Sequence, residues 1–302
     1  MIYISASNGI YSYDDAARKV SVIMDNNYRG GFFGSLFGGI FAKKSHGYFG
    51  ICYSEYSNEI IVSSREKLGT PRAGKPTTDC GIHAINPVTD EYRTIGYVKD
   101  VHDVHQIAVW KSQLLLTDTG KNRVVVYDID AGRISCMINI GNDREDINHV
   151  NAVTVLGDKV YIGLNNRGNT DSEILVMPAD VLESGFEEVD AESVCSTITL
   201  KGIRHTHDVE PFGDTFLVSV SHDSRVIAAD TLASVFDGEN WVRGLCIKDD
   251  NLWIGQSHFA KRSKRHKKVN DGALIQYDLA GSAILQNVTL NDAGQINDLI
   301  TI

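Results

Sequence analysis

Residues 105–128 read HQIAVWKSQLLLTDTGKNRVVVYD. The stretch holds an opening apolar run, a second run QLLLTDT at 113–119, and a third that ends on the turn signal Tyr127-Asp128. The same rhythm recurs outward in both directions. Six segments open it: YFGICYS (48–54), VHQIAVW (104–110), VNAVTVL (150–156), THDVEPF (206–212), VRGLCIK (242–248) and INDLITI (296–302). Second runs appear at 1–7, 59–65, 113–119, 159–165, 215–221 and 251–257, and third runs end at Asp14, Pro87, Asp128, Pro178, Asp230 and Asp278.

Four short strands per unit, with 36 to 56 residues between equivalent positions, is the pattern of a β-propeller blade. A solenoid would need capping repeats, and a sandwich would not yield six equivalent units. The expected fold is therefore all-β, a six-bladed β-propeller, taken as a single domain over 1–302. The N-terminus begins on a second strand and INDLITI is an innermost one, so the C-terminal strand is expected to pair with the N-terminal blade and remove an exposed edge.

The residue one step into each opening segment is Phe49, His105, Asn151, His207, Arg243 or Asn297. Equivalent positions meet around the propeller axis, so this mostly polar ring is the candidate site. Composition narrows what it serves. The net charge of -10 argues against nucleic-acid binding. No run approaches a membrane span, and MIYISASNGIYSYDD lacks the features of a signal peptide. Cys52, Cys80, Cys136, Cys195 and Cys246 are odd in number and form no C-x-x-C pair, as expected of reduced thiols in a cytoplasmic protein. The Asn287-Val-Thr sequon is accordingly a chance match.

The 105–128 stretch resembles the NHL-type blade, in which Thr-Asp, a turn carrying Asn-Arg and an I/V-x-V-Y/F-D strand follow one another. Across six blades the chain is also similar to the gluconolactonase and paraoxonase-like superfamily of calcium-dependent phosphotriesterase propellers. That resemblance implies a divalent metal at the pore held by Glu, Asn, Asn and Asp, with Asn151 and Asn297 as the matching Asn residues and Asp208 or Asp298 as a carboxylate. The pattern departs at Glu, which has no counterpart near the first two blades, and at the histidines and arginine of the ring.

Histidine is the more telling excess. His149 and His205 lie two residues before Asn151 and His207, and alternation by two is expected to turn them the same way as the ring. His105, His149 and His207 are thus the candidate ligands of a divalent metal ion, with His205 in reserve. The alternatives are acid/base or substrate-binding histidines without metal, or the hydrogen-bonded wall of a channel. Arg243, beside Trp241, needs a counter-charge: the anion of a substrate, or an internal salt bridge with Asp208, Asp298 or Glu210.

Two insertions follow second strands. Residues 64–79 carry Arg65, Lys67, Arg72 and Lys75, and 258–271 carry a basic cluster from Lys261 to Lys268, with His258 nearest the strand end as a candidate acid or base. Gly69 to Lys75 has P-loop spacing, but Pro76 stands where magnesium-binding Ser/Thr belongs and no helix follows. The Gly- and Phe-rich segment 26–46 is expected to be a lid over the pore, a plug or a docking element.

These readings converge on a metal-assisted hydrolase or lyase acting on a small anionic or carbohydrate-derived substrate. His105, His149 and His207 would hold metal. Arg243 would hold the anion, Asn151, Asn297 and Trp241 would contact substrate, and His258 and Arg243 would serve catalysis. The alternative is a non-catalytic recognition module that binds a peptide or protein partner.

Overall fold

The computed structural model describes residues 1–25, 47–65, 79–141, 145–258 and 271–302. The chain folds as six sheets, antiparallel but for one added edge strand, set around one axis. β1 (Ile2–Ala6), β2 (Gly9–Asp14) and β3 (Lys19–Asp25) form three strands of the first blade. The second comprises β4 (Tyr48–Ser54), β5 (Glu59–Arg65), β6 (Cys80–Ile85) and β7 (Tyr92–Val98). The third comprises β8 (Ile107–Trp110), β9 (Gln113–Asp118), β10 (Arg123–Asp128) and β11 (Arg133–Asn139).

The fourth blade runs β12 (Val150–Leu156), β13 (Lys159–Leu164) and β14 (Ser172–Pro178). Its connection then places β15 (Glu188–Asp190) parallel to β11 at the rim of the preceding blade before β16 (Ser196–Leu200) completes the sheet. β15 thereby covers an otherwise open edge. The fifth is β17 (Thr206–Phe212), β18 (Thr215–Val220), β19 (Arg225–Ala228) and β20 (Ser234–Asp237). The sixth is β21 (Trp241–Lys248), β22 (Asn251–Ser257), β23 (Gly272–Asp278) and β24 (Ala283–Leu290).

The last strand, β25 (Ile296–Thr301), is the innermost strand of the first blade, with Ile2 opposite Thr301, Tyr3 opposite Ile300 and Ile4 opposite Leu299. The expected closure is therefore what the chain does. Local sequence explains the hairpins. Asp249 (φ 51) and Asp250 (φ 60) both take left-handed conformations between β21 and β22, the backbone of a tight turn that matches strand twist and that Asp tolerates. The core lies between blades: Tyr13 meets Trp253 at 5.7 Å across the closing interface, and Trp253, Ile296 and Leu299 are buried there.

Strict alternation does not run the length of the innermost strands. Register shifts fall between Val150 and Ala152, Thr206 and Asp208, Val242 and Leu245, and Tyr48 and Ile51, with a matching irregularity beside Asn297. The ring residue is a β-bulge in each case. A bulge turns two successive side chains to one side, and His207 with Asp208, and Asn297 with Asp298, indeed line the same small space at the axis.

The residues just after the ring positions alternate in size around the axis: Gly50, Gln106, Ala152, Asp208, Gly244, Asp298. Each large one accepts a backbone N–H from the next blade, Gln106 Oε1 from Val153 at 2.9 Å, Asp208 Oδ2 from Leu245 at 2.6 Å and Asp298 Oδ2 from Ile51 at 3.0 Å. The small ones leave the room. A Cβ on Gly50 would sit 2.6 Å from the Ile107 nitrogen, and one on Gly244 (φ +72) would sit 3.0 Å from the Asp298 backbone. This ring of acceptors forms the neck of the central tunnel and separates an upper mouth from a lower one.

Candidate functional site

The upper mouth is a cavity of about 260 Å³ whose walls include Phe49, Arg65, His105, His149, His207 and Arg243. Asp103, Asn165, Arg167, His205 and Trp241 complete it. Phe49, His207 and Arg243 reach it from the bulges, and His105 from just before β8. Asp103 (φ 62), His149 (φ 50) and His205 (φ 61) reach it from left-handed kinks, the two histidines immediately before their strands and Asp103 four residues ahead of β8. His149 and His205 do join the ring, as expected, but the kink carries them there rather than alternation along an extended strand.

Two arginines lie on aromatic faces. The Arg65 guanidinium is 3.6 Å from the Phe49 ring centroid and pairs with Asp103, while that of Arg243 is 5.1 Å from the Trp241 ring. Stacking holds a guanidinium flat and desolvates it while leaving its edge N–H groups for in-plane acceptors. Arg243, 5% exposed, also places Nη2 at 2.7 Å from His207 Nε2. His207 Nδ1 lies 3.1 Å from the His205 carbonyl oxygen, so Nδ1–H donates there and the Nε2 lone pair accepts from Arg243. The nitrogen that a metal would take is engaged by a cation.

His105 stands between His149 and His207, with ring centroids 5.3 and 6.2 Å away. Burial, then the Arg65 guanidinium, hold its imidazole well below the usual pKa, so it is neutral in the ordinary pH range. His149 Nδ1 is 2.8 Å from Asp146 Oδ1, which orients that ring. Burial also lowers the His205 pKa, as does neighbouring His222. The three candidate ligands are therefore brought together, although among the described residues no three His, Cys, Asp or Glu side chains converge into a metal cage.

The asparagines do different work. Asn151 donates through Nδ2 to the Thr206 carbonyl at 2.6 Å, and Asn297 donates to the Tyr48 carbonyl at 2.7 Å, each stapling its blade to the next. Their Oδ1 atoms are buried without a hydrogen-bond partner. Asn297 borders the narrow space at the neck, and neither asparagine lines the upper cavity. His258 is exposed just past β22 and lies outside the cavity wall. The segment 26–46, the P-loop-like spacing at 69–75 and the basic cluster 261–268 lie outside the described residues.

Sequence reasoning missed Arg167, Asn165 and the neck acceptors Gln106, Asp208 and Asp298 as one set. The neck was detectable, since the six residues after the ring alternate small and large, and so was Asn165, which closes the second run 159–165 at the place Arg65 holds in 59–65; Arg167, in the turn after β13, carries no repeat signal. Carboxyls at the neck and just below it are strongly perturbed. Burial raises Asp208 to about 6 and Glu210 to about 8, and burial with the nearby Asp208 charge raises Asp298 well above the usual range.

No protein family matches the chain, and no curated protein matches it by sequence. Solved structures do. A chain of a nidogen/laminin complex superposes with a TM-score of 0.63 at 13% identity, covering 99% of this chain and 97% of that one. A chain of the mitotic checkpoint complex superposes with a TM-score of 0.52 at 11% identity, covering 99% and 77% respectively. At such identities the likeness is one of fold.

Proposed function

We propose that the protein is a recognition propeller whose upper mouth receives an anionic group, a carboxylate above all, presented by a peptide or protein partner. The observation that carries this is the pair of stacked arginines, Arg65 and Arg243, facing one cavity together with Arg167. Three guanidiniums on this wall, with Arg65 paired to Asp103 and Arg167 to Asp146, make a cationic pocket on a chain of net charge -10. Neutral His105 adds a hydrogen-bonding wall without adding charge. Both similar structures come from protein complexes, which agrees with a recognition role.

The test is a binding screen of acidic peptides and small carboxylates by thermal shift and calorimetry. Stabilisation by a carboxylate-bearing probe, lost in Arg243→Met, is the expected result. If no anion stabilises the protein, or Arg243→Met binds equally well, this reading fails.

A metal-assisted hydrolase or lyase acting on a small anionic or carbohydrate-derived substrate is the second reading, favoured by the proximity of His105, His149 and His207. It requires Arg243 to leave His207 Nε2. Elemental analysis of untagged protein decides between the two: stoichiometric metal that disappears in His105→Ala favours the enzyme. Kinship with NHL-type or gluconolactonase-like propellers belongs to the same proposal and rests on the 105–128 motif. So does a reducing, cytoplasmic setting for the single 1–302 domain, supported by five free cysteines.

A further inference from the structure

Below the neck the tunnel widens into a second cavity of about 540 Å³. Its wall contains the residues three past the ring in all six innermost strands: Cys52, Ala108, Thr154, Glu210, Cys246 and Ile300. Asp298 enters from the neck and Glu55 from the turn after β4. Among the described residues no Lys, Arg or His lines it. The tunnel is thus polarised, with guanidiniums at one mouth and carboxyls at the other.

Two residues further along the same strands comes the lower rim. In three successive blades it presents Trp110, Leu156 and Phe212, with Leu156 43% and Phe212 39% exposed. Lys111 lies over the Trp110 ring at 4.1 Å, and Lys248 occupies on β21 the rim place that Trp110 holds on β8. An apolar arc around an acidic hollow is complementary to a cation carried among apolar residues.

We infer that the lower mouth docks a lysine side chain borne on an apolar segment of a partner protein, its ammonium entering the hollow toward Glu210 and its flanking residues resting on Trp110, Leu156 and Phe212. The stem of a lysine is apolar and its head charged, which suits a hollow with apolar entrance and acidic interior. Desolvation, then the nearby Asp208 charge, lift the part-buried Glu210 carboxyl to about 8 although it accepts the Ile247 N–H, and among the described residues no counter-cation offsets that rise. An arriving ammonium would supply one. The site is separate from the anion pocket and stands or falls independently of it.

The test uses the full chain and two short acetylated peptides, identical except that one carries a lysine between leucines and the other acetyl-lysine. Fluorescence anisotropy is expected to show binding of the lysine peptide and a loss of about tenfold or more with acetyl-lysine, which keeps the stem but removes the charge. Glu210→Gln is expected to weaken the lysine peptide to a similar degree, and Phe212→Ser more mildly, with thermal melting showing both variants folded. Arg243→Met, at the other mouth, is expected to leave this binding unchanged. Equal affinity for the two peptides, an unaffected Glu210→Gln, or no binding at millimolar peptide would overturn the inference. Equally tight binding of n-butylamine would overturn the requirement for an apolar segment.

Discussion

Arg243 Nη2 lies 2.7 Å from Nε2 of His207, so a fixed cation and a neutral imidazole from neighbouring blades face the same cavity as a bonded pair. The imidazole steers the guanidinium and the guanidinium fixes the tautomer.

Replacing Arg243 with Met keeps roughly the side chain's length and its contact with Trp241 while removing the fork. For an acidic peptide that stabilises the wild-type protein, calorimetry should show affinity falling by about tenfold or more, the scale of one charge-assisted contact. His207→Phe should give a smaller loss, because it removes only the steering.

The neck acceptors should respond to chemistry rather than to size. Asp298→Ala leaves the Ile51 N–H without its acceptor, which should cost about 1–3 kcal/mol in a denaturant titration. Asp298→Asn retains an accepting oxygen and should cost less. Gly50→Ala should destabilise more than its added volume suggests, since the new Cβ would sit 2.6 Å from the Ile107 nitrogen.

Acidity should reveal Glu210. Its carboxyl is raised to about 8 in the folded chain, so its contribution to stability is complete below the unfolded-state value near 4.5 and is lost as pH rises through about 8. Wild-type Tm should therefore fall relative to Glu210→Gln between pH 5 and pH 9, by about 2 °C or more. His105 runs the opposite way: its depressed pKa favours unfolding as pH drops below the usual imidazole range, and both proteins share that effect. Parallel melting curves at all pH values would contradict the assignment.

Closure rests on β25. Deleting residues 295–302 removes the pairing with β1 and the buried Ile296 and Leu299, each worth about 2–3 kcal/mol of burial. The truncated chain should be insoluble or should melt far below the full one; retained Tm would refute the closure.

Blade number, strand order and closure were legible in the one-dimensional pattern, because period-2 alternation and turn residues report local backbone states that recur six times. The ring residues were legible for the same reason. What alternation could not convey was the bulge. A single inserted residue turns His207 and Asp208, or Asn297 and Asp298, toward the axis together, and only the pairing register of neighbouring strands reveals it. The left-handed kinks at His149 and His205 likewise depend on how the chain enters each blade. Whether Asn151 faces a ligand or a neighbouring carbonyl, and whether Arg243 meets a carboxylate or His207, are questions of distance across blades far apart in sequence. Sequence alone determined that the six ring positions gather near the axis. Packing of six blades decided their partners, since a hydrogen bond depends on angstroms that a repeat pattern does not encode.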